Sequence, residues 1–401
     1  MHNKKFLLIG PTESVLTKRG NRFPDFANFL HKNGAQIEYY TTDFYHAEKR
    51  RFTIKEIFEA KTICPYKLIV WHVLGYSGNI SIRRLISNFL FSSILFIRLI
   101  SRVKKADSII IPSRPVELIF FVSLIKLIKG SKIYLDIQDI WPDALQINHK
   151  FRKKVFTYYC NIFLRNSLKR YTYTFHTAPS FVNWLRRYSK NTPSVFLPLG
   201  WDTSRWEDKL TGVVPQTEMN KNEFNLVVVA QLQHQIDIMP VLDFLRTNSN
   251  YSLTIIGEDG NGERYGDVTA FIKHNEIRNV KFVGVVAREK MSDHLRDKDI
   301  GLLPMITTSI PNKIFDYLGA KLPIVVLGKN DSSDFVDKYD IGWSCNYNSE
   351  SFESLMKSIS WGNLVNKKAN VEKVRMHFCR DNLHEEFFKI VTAKCNNLHK
   401  S

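Results

Sequence analysis

Short apolar runs alternate with amphipathic segments along most of this chain, and the pattern occurs twice. In the first half the apolar runs predict strands at residues 6–10, 36–41, 67–73, 108–112 and 132–137. In the second half they predict strands at residues 225–230, 251–257, 280–283, 300–303 and 324–327. Since the segments between the runs are long enough to form helices, each half is predicted to form a parallel sheet covered on both faces.

The length of 401 residues also favours two domains. We expect an N-terminal domain at residues 1–200 and a C-terminal domain at residues 201–375. Residues 193–206 are rich in Pro and Gly and are predicted to link them. The predicted fold class is therefore α/β, with two Rossmann-like, doubly wound parallel-sheet domains facing a cleft, and ligands are expected where the strands end.

The basic excess of the chain lies entirely in its first half. Residues 1–200 contain 32 Lys and Arg against 12 Asp and Glu, whereas residues 201–401 contain 25 against 27. A solvated basic surface, nucleic acid and anionic lipid are the three interpretations. Lipid is favoured, because the apolar segments 85–100 and 116–128 lie beside basic residues and no acidic residue occurs from 144 to 201. Buried crossover helices of an α/β domain are the alternative for the two apolar segments and explain part of the pattern. Nucleic acid is not expected as a partner, since no reading module is recognisable.

Cysteine and histidine usage indicates neither a disulfide framework nor a metal site. The five cysteines are widely spaced, and the twelve histidines form no HExxH pattern. No DxD pair occurs at a strand end, so neither a metal nor another cofactor is expected. Together with the lack of a signal-peptide pattern, this predicts a reduced, cytoplasmic compartment.

Residues 309–324 (SIPNKIFDYLGAKLPI) form the most informative segment. A helix is predicted to begin near Pro311, and the free amide groups and dipole of its first turn form an anion site. Lys313 adds a full positive charge, and Asp316 lies one turn further on, where it can bind the hydroxyls of a ribose. This arrangement suits a nucleotide sugar, although an ordinary helix–strand unit with a charged first turn explains the residues equally well.

This segment resembles the donor-binding motif of glycosyltransferase family four. Three further stretches resemble motifs of the same family in the same order: residues 136–143 (DIQDIWPD), residues 197–202 (LPLGWD), and residues 280–284 (VKFVG) with 303–304 (LP). The resemblance implies a GT-B fold and a retaining transferase. It also implies a nucleotide-sugar co-substrate, for which we favour a UDP-sugar, and a C-terminal helix at 376–401 that packs back toward the first domain.

The candidate site residues come from these motifs and from the predicted strand ends. The candidate donor-binding residues are Asp316, Asn312, Lys313, Ile310, Pro311, Gln231, Gly257, Gly284 and Gly20, and a plain helix-entry turn explains Gly20 equally well. The candidate catalytic residues are Asp139, Asp136 and Lys313; Asp136 and Asp139 end a predicted strand, where they suit an acceptor hydroxyl or a general base. Trp141 and His72 are predicted to bind the acceptor, with a buried aromatic and a buried core histidine as the respective alternatives.

Two departures from the family pattern leave a second interpretation open. Thr308 occupies the position of an expected glutamate, and residues 230–235 (AQLQHQ) lack the Arg and Lys that would neutralise a diphosphate. We expect a transferase of surface polysaccharide synthesis, peripheral to the inner face of the cell membrane, that uses a lipid-linked or glycan acceptor. A non-catalytic homologue that acts as a partner in a polysaccharide-assembly complex is the alternative, and a sugar-nucleotide epimerase fits the motifs less well.

Overall fold

The computed structural model describes residues 4–17, 21–78, 81–145, 147, 149–206, 223–306 and 309–393. The chain forms two compact units, Met1–Leu197 with His384–Ser401, and Pro198–Leu383. The first unit contains strands β1 (Lys5–Ile9), β2 (Gln36–Thr42), β3 (Phe44–Tyr45), β4 (Arg50–Arg51), β5 (Lys67–Trp71), β6 (Ser108–Pro112), β7 (Lys132–Ile137), β8 (Tyr173–His176) and β9 (Ser194–Phe196). Its helices are α1 (Arg22–Lys32), α2 (Ile54–Ile63), α3 (Ile82–Ile100), α4 (Val116–Lys129), α5 (Lys150–Leu164) and α6 (Phe181–Tyr188).

The main sheet of the first unit is parallel and has the strand order β5-β2-β1-β6-β7-β8-β9. The chain reverses its direction of travel across the sheet between β1 and β6, which is the arrangement of a doubly wound fold. β6 is buried along its whole length, because helices cover both of its faces. The substrate-binding edge of such a sheet lies at the carboxyl ends of β1, β6 and β7.

The second unit repeats this architecture. Its strands are β10 (Phe224–Val229), β11 (Tyr251–Ile256), β12 (Val280–Gly284), β13 (Ile300–Leu303), β14 (Ile324–Leu327) and β15 (Gly342–Cys345). Its helices are α7 (Thr203–Trp206), α8 (Met239–Thr247), α9 (Tyr265–His274), α10 (Met291–Leu295), α11 (Asn312–Gly319), α12 (Asp331–Lys338), α13 (Ser349–Ser358) and α14 (Trp361–Arg375). The parallel order β12-β11-β10-β13-β14-β15 places the switch point at β10, between β11 and β13.

The prediction that residues 193–206 form a linker is wrong for its first part. Ser194–Phe196 is strand β9, which pairs in parallel with β8 and forms an edge of the first sheet. The segment lacks a long apolar run, so its strand character arises from pairing with β8 rather than from local sequence preference.

The final helix, α15 (Arg380–Thr392), supplies aromatic contacts to the first unit from His384 onward. Phe387 stacks on Phe26 of α1, with ring centroids 3.9 Å apart. Lys4 Nζ and the Tyr134 hydroxyl both donate to the carbonyl oxygen of Val391, at 2.7 and 3.2 Å. The C-terminal segment is therefore part of the core of the first unit.

Candidate active site

A buried ion pair joins the start of α1 to the end of β7 in the first unit. Arg22 donates from Nε and Nη2 to the two carboxylate oxygens of Asp136, at 2.8 and 2.9 Å, and Asp136 is fully buried. Nη2 of Arg22 also donates to the carbonyl oxygen of Leu197, and Gln138 Nε2 donates to Asp136 at 2.8 Å. Because both carboxylate oxygens of Asp136 accept from these side chains, the geometry favours a structural role for this predicted catalytic residue over proton transfer.

Glu13 lies beside this pair, in the loop that follows β1, and belongs to none of the sequence motifs. Its carboxylate accepts from the backbone N–H of Phe23 at 3.2 Å. Burial raises the pKa of Glu13 to about 7; the nearby Asp136 also raises this pKa, whereas the Arg22 guanidinium and backbone hydrogen bonds lower it. A carboxyl group that titrates near neutrality at the substrate edge of a parallel sheet is a candidate proton-transfer group.

Asp139, the second predicted catalytic carboxylate, lies three residues beyond Asp136 and is more exposed. Arg114 Nη1 lies 2.9 Å from Asp139 Oδ2, and the Asp139 side chain is 22% exposed. The backbone of Asp139 is fixed by Ser113, whose hydroxyl donates to the Asp139 carbonyl oxygen and accepts from the Asp139 N–H. Asp139 thus combines solvent access with a fixed backbone and an adjacent cation.

The two predicted acceptor-binding residues lie in different surroundings. Trp141 is only 2% exposed, and its ring packs edge-on against Phe156 and under the guanidinium of Arg84. His72 follows β5, and its side chain is 75% exposed, so the alternative of a buried core histidine is wrong. His72 Nδ1 lies 2.7 Å from Asp43 Oδ2.

In the second unit, a buried carboxylate fixes two loops that follow adjacent strands. Glu258 comes after β11 and accepts from the backbone N–H of Leu232, Gly260 and Gly262 at 2.6, 2.8 and 3.1 Å. These bonds connect the loop after β10, which contains the predicted donor ligand Gln231, to the loop after β11. Gln231 Nε2 also donates to Asp259 Oδ1 at 3.4 Å.

Two of the three predicted donor-binding glycines form part of the same edge. Gly257 and Gly284 have φ values of 99° and 82°, a backbone conformation that glycine adopts far more readily than other residues. The N–H of Gly257 donates to the carbonyl oxygen of Gly284 at 2.7 Å. A Cβ at Gly257 would lie 3.5 Å from the backbone of Ala230. This is an ordinary van der Waals distance, so the positive φ, and not a lack of space, is what favours glycine at these two positions.

The predicted helix of the donor motif is α11, which begins at Asn312 after the N-cap residue Pro311. Among the described residues, no side chain caps this helix, so the anion site predicted at its first turn has no competing cap. Asn312 is exposed, whereas Ile310 is 4% exposed and anchors the approach to the helix in the core.

Lys313 and Asp316 lie on α11 within electrostatic range of each other. Burial lowers the pKa of Lys313, while the neighbouring Asp316 raises it. The next residue, Tyr317, is fully buried and its hydroxyl accepts from the N–H of Val229 at 3.0 Å. This bond fixes α11 to the end of β10, so the lysine and aspartate lie on a helix that is anchored at the switch point.

Predicted donor ligand Gly20 and the divergent position Thr308 lie outside the described residues. Within the described ranges, no group of three or more His, Cys, Asp or Glu side chains is arranged to hold a metal ion. In that same part of the chain, no helix is both long enough and apolar enough to cross a bilayer.

Comparison with solved structures decides the fold. The chain matches a trehalose-6-phosphate structure from E. coli bound with UDP-2-fluoro glucose at 10% identity and a TM-score of 0.67, over 97% of this chain and 99% of that one. It matches a glycosyltransferase from Rickettsia africae at 13% identity and a TM-score of 0.68, over 100% of both chains. The chain has the GT-B fold.

Two other comparisons relate to the second GT-B unit and to function. Residues 225–359 match the family model described as glycosyl transferases group 1, and this range contains Glu258, Lys313 and Asp316. The structure of HepE from Anabaena in complex with UDP is similar at 10% identity and a TM-score of 0.66, over 97% of this chain and 99% of that one. No curated protein sequence matches the chain.

Proposed function

We propose that this protein is a retaining glycosyltransferase that moves a sugar from a UDP-sugar to a lipid-linked or glycan acceptor in surface polysaccharide synthesis. The observation that supports it best is the group 1 glycosyltransferase match over residues 225–359, which contains α11 with Lys313 and Asp316. Among the structural neighbours, HepE is in complex with UDP and the E. coli structure is bound with UDP-2-fluoro glucose.

In this proposal, each group of the donor site has a physical role. The backbone N–H groups of the first turn of α11 and the ammonium of Lys313 bind the diphosphate, because the helix terminus and the cation both attract anions. Asp316 accepts hydrogen bonds from the ribose hydroxyls. These contacts stabilise the charge that develops on the departing nucleotide, which is the principal electrostatic requirement of the reaction.

The acceptor side of the proposal rests on the first unit. Asp139 beside Arg114 is the predicted group for an acceptor hydroxyl, and Glu13 is a second carboxyl group at the same sheet edge. The retaining outcome and the surface-polysaccharide class are supported by the resemblance to family four. We expect no metal to take part, and the configuration of the product at its anomeric carbon, measured by NMR, tests retention.

Peripheral attachment to the inner face of the cell membrane is part of the proposal. Helix α3 contains no acidic residue, and several of its large apolar side chains are exposed: Ile82, Ile86, Phe89, Leu90, Ile94 and Ile97. Exposed apolar side chains with adjacent cations suit an interfacial helix on an anionic bilayer. Sedimentation with phosphatidylglycerol vesicles at low salt tests this part, and failure to bind would refute it.

The central experiment is a thermal-shift screen of the protein against nucleotides and nucleotide sugars. At a ligand concentration of 100 Kd, binding to the folded state alone adds about 2.7 kcal/mol to its stability. We expect a UDP-sugar to raise the Tm of the wild type and of Asp334→Ala, an exposed aspartate on α12, and to raise that of Asp316→Ala clearly less. An equal rise in Asp316→Ala would refute the assigned ribose contact.

The second candidate function is a non-catalytic partner in a polysaccharide-assembly complex. It is favoured by residues 230–235, which contain neither Lys nor Arg. The only charged group there is His234 when protonated, and its Nε2 lies 3.4 Å from Glu263 Oε2. This candidate predicts that no sugar is transferred and that UDP shifts the Tm no more than uridine does.

A further inference from the structure

A cavity of about 490 Å³ lies in the first unit between α3, α5 and the loop that follows β7. Its volume is in the range of small-molecule binding sites. Most of its lining is apolar or aromatic: Ile82, Leu85, Trp141, Leu145, Val155 and Phe156. At its edge, Ile82, Phe151 and Val155 are 77%, 69% and 52% exposed, so the apolar lining continues onto the surface.

Cations outnumber acidic groups around this cavity. Neither α3 nor α5 contains an acidic residue. Together the two helices contain seven cations: Arg83, Arg84, Arg98, Lys150, Arg152, Lys153 and Lys154. The acidic groups nearby are occupied, since Asp143 pairs with Arg187 and the buried Glu117 accepts from the Tyr159 hydroxyl. An anion with an apolar chain therefore complements both the cations and the apolar lining.

Polar groups also line the wall of the cavity. Arg84 is 6% exposed, and its guanidinium lies 4.9 Å from the ring centroid of Trp141. The indole N–H of Trp141 is buried and has no hydrogen-bond acceptor among the described residues. A buried donor of this kind is unusual in folded proteins.

The position of the cavity relative to the sheet identifies the class of ligand. Trp141 follows the carboxyl end of β7, and Ile82 begins the helix that follows β5, so the cavity lies at the substrate edge of the parallel sheet. Arg84 lies within electrostatic range of Arg114 and of the candidate acceptor group Asp139. A bulk membrane phospholipid does not need to bind at the substrate edge of the sheet. A lipid that bears the acceptor must place its polar end there, because the acceptor has to reach the site of transfer.

We propose that the cavity between α3 and α5 binds the aliphatic chain of the lipid that bears the acceptor, with the lipid phosphate at the basic mouth beside Arg152. This inference rests on the proposed function, because it assigns the lipid-linked acceptor to a site. It assigns Trp141 to the wall of the chain-binding site and Arg152 to the phosphate.

Equilibrium dialysis of the full-length protein with radiolabelled farnesyl phosphate tests the assignment. Val155→Trp places a large ring in the cavity from an exposed position and is expected to weaken binding about tenfold or more. Arg152→Glu is expected to weaken it about fivefold or more, because it reverses a charge at the mouth. Lys169→Glu makes the same charge change beyond the other end of α5 and is expected to leave binding unchanged.

Four results would overturn the proposal: no binding of farnesyl phosphate, unchanged binding in both cavity variants, an equal loss in Lys169→Glu, or equal competition by inorganic phosphate. The proposal would also be overturned if both cavity variants lost binding to phosphatidylglycerol vesicles but still bound farnesyl phosphate. The cavity residues would then contact the bulk membrane. If the protein binds a nucleotide but not farnesyl phosphate, the lipid site is refuted and the proposed transferase function is not. If it binds farnesyl phosphate but no nucleotide, the proposed transferase function is refuted instead.

Discussion

Replacing Glu13 by glutamine is expected to remove a pH-dependent loss of stability. The folded protein raises the pKa of Glu13 from 4.5 to about 7, so the folded state retains a proton that the unfolded state has released between these pH values. The resulting stabilisation is complete below pH 4.5 and is lost as the pH rises through about 7. The neutral side-chain amide of the Glu13→Gln variant resembles the protonated acid at every pH, and its oxygen can still accept from the Phe23 N–H.

The expected size of this effect follows from the pKa difference. One pKa unit corresponds to about 1.36 kcal/mol. The free energy of unfolding of the Glu13→Gln variant should therefore exceed that of the wild type by about 3 kcal/mol above pH about 8, and the two should match below pH about 4.5. For a folding unit of this size, that difference corresponds to roughly 6–12 °C in Tm. The assay is the Tm of both proteins from pH about 4.5 to about 8, with exposed Glu59→Gln as the control.

The difference between the two Tm curves isolates Glu13, because other titrating groups, including Glu117, contribute equally to both proteins. Parallel curves for the wild type and Glu13→Gln across this range would refute the reasoning, since Glu13 would then titrate alike in the folded and unfolded states. A Glu59→Gln curve that matched Glu13→Gln would also contradict it, because the effect would then be independent of burial.

Three further substitutions test the site contacts. Asp136→Ala should lower the free energy of unfolding in urea by about 3–5 kcal/mol, because it removes the carboxylate that neutralises the buried Arg22. The double variant Arg22→Met with Asp136→Leu should recover most of this loss, because it leaves no charge buried. Glu258→Ala should lower the free energy of unfolding by about 2–4 kcal/mol in the same assay, because three backbone donors lose their acceptor. The neighbouring substitution Asp259→Ala should lower it by less than about 1 kcal/mol. Lys313→Met should weaken UDP binding about tenfold or more in calorimetry and leave uridine binding unchanged; equal losses for both ligands would contradict a diphosphate contact.

The central strands of both sheets could be predicted because they are continuous apolar runs. The predicted strands at residues 108–112, 132–137, 300–303 and 324–327 agree with β6, β7, β13 and β14. Strands β8, β9 and β15 were missed, because they are short and lack such runs. β9 and β15 are edge strands, and pairing with a neighbour fixes their structure more than their own side chains do.

The environment of the candidate site residues could not be predicted in the same way. Asp136 and Asp139 are three residues apart and were assigned similar roles, yet Asp136 is fully buried against Arg22, whereas Asp139 is partly exposed beside Arg114. The Arg22–Asp136 pair joins residues 114 positions apart, so no local pattern contains it. Glu13 was missed for the same reason, since its raised pKa arises from burial and from groups brought near by the fold.

The contrast between UDP and uridine also discriminates between the two candidate functions. Residues 230–238 contain no Lys or Arg, and nearby Arg264 is held by Asp237, with Nη1 and Oδ2 2.8 Å apart. Since the loop after β10 supplies no free cation among the described residues, diphosphate binding depends mainly on Lys313 and the first turn of α11. If these groups compensate for the missing cations, UDP must bind more tightly than uridine, and this advantage must decrease in Lys313→Met. If UDP and uridine bind equally, the site does not stabilise the charge of a departing nucleotide, and the non-catalytic partner becomes the better interpretation.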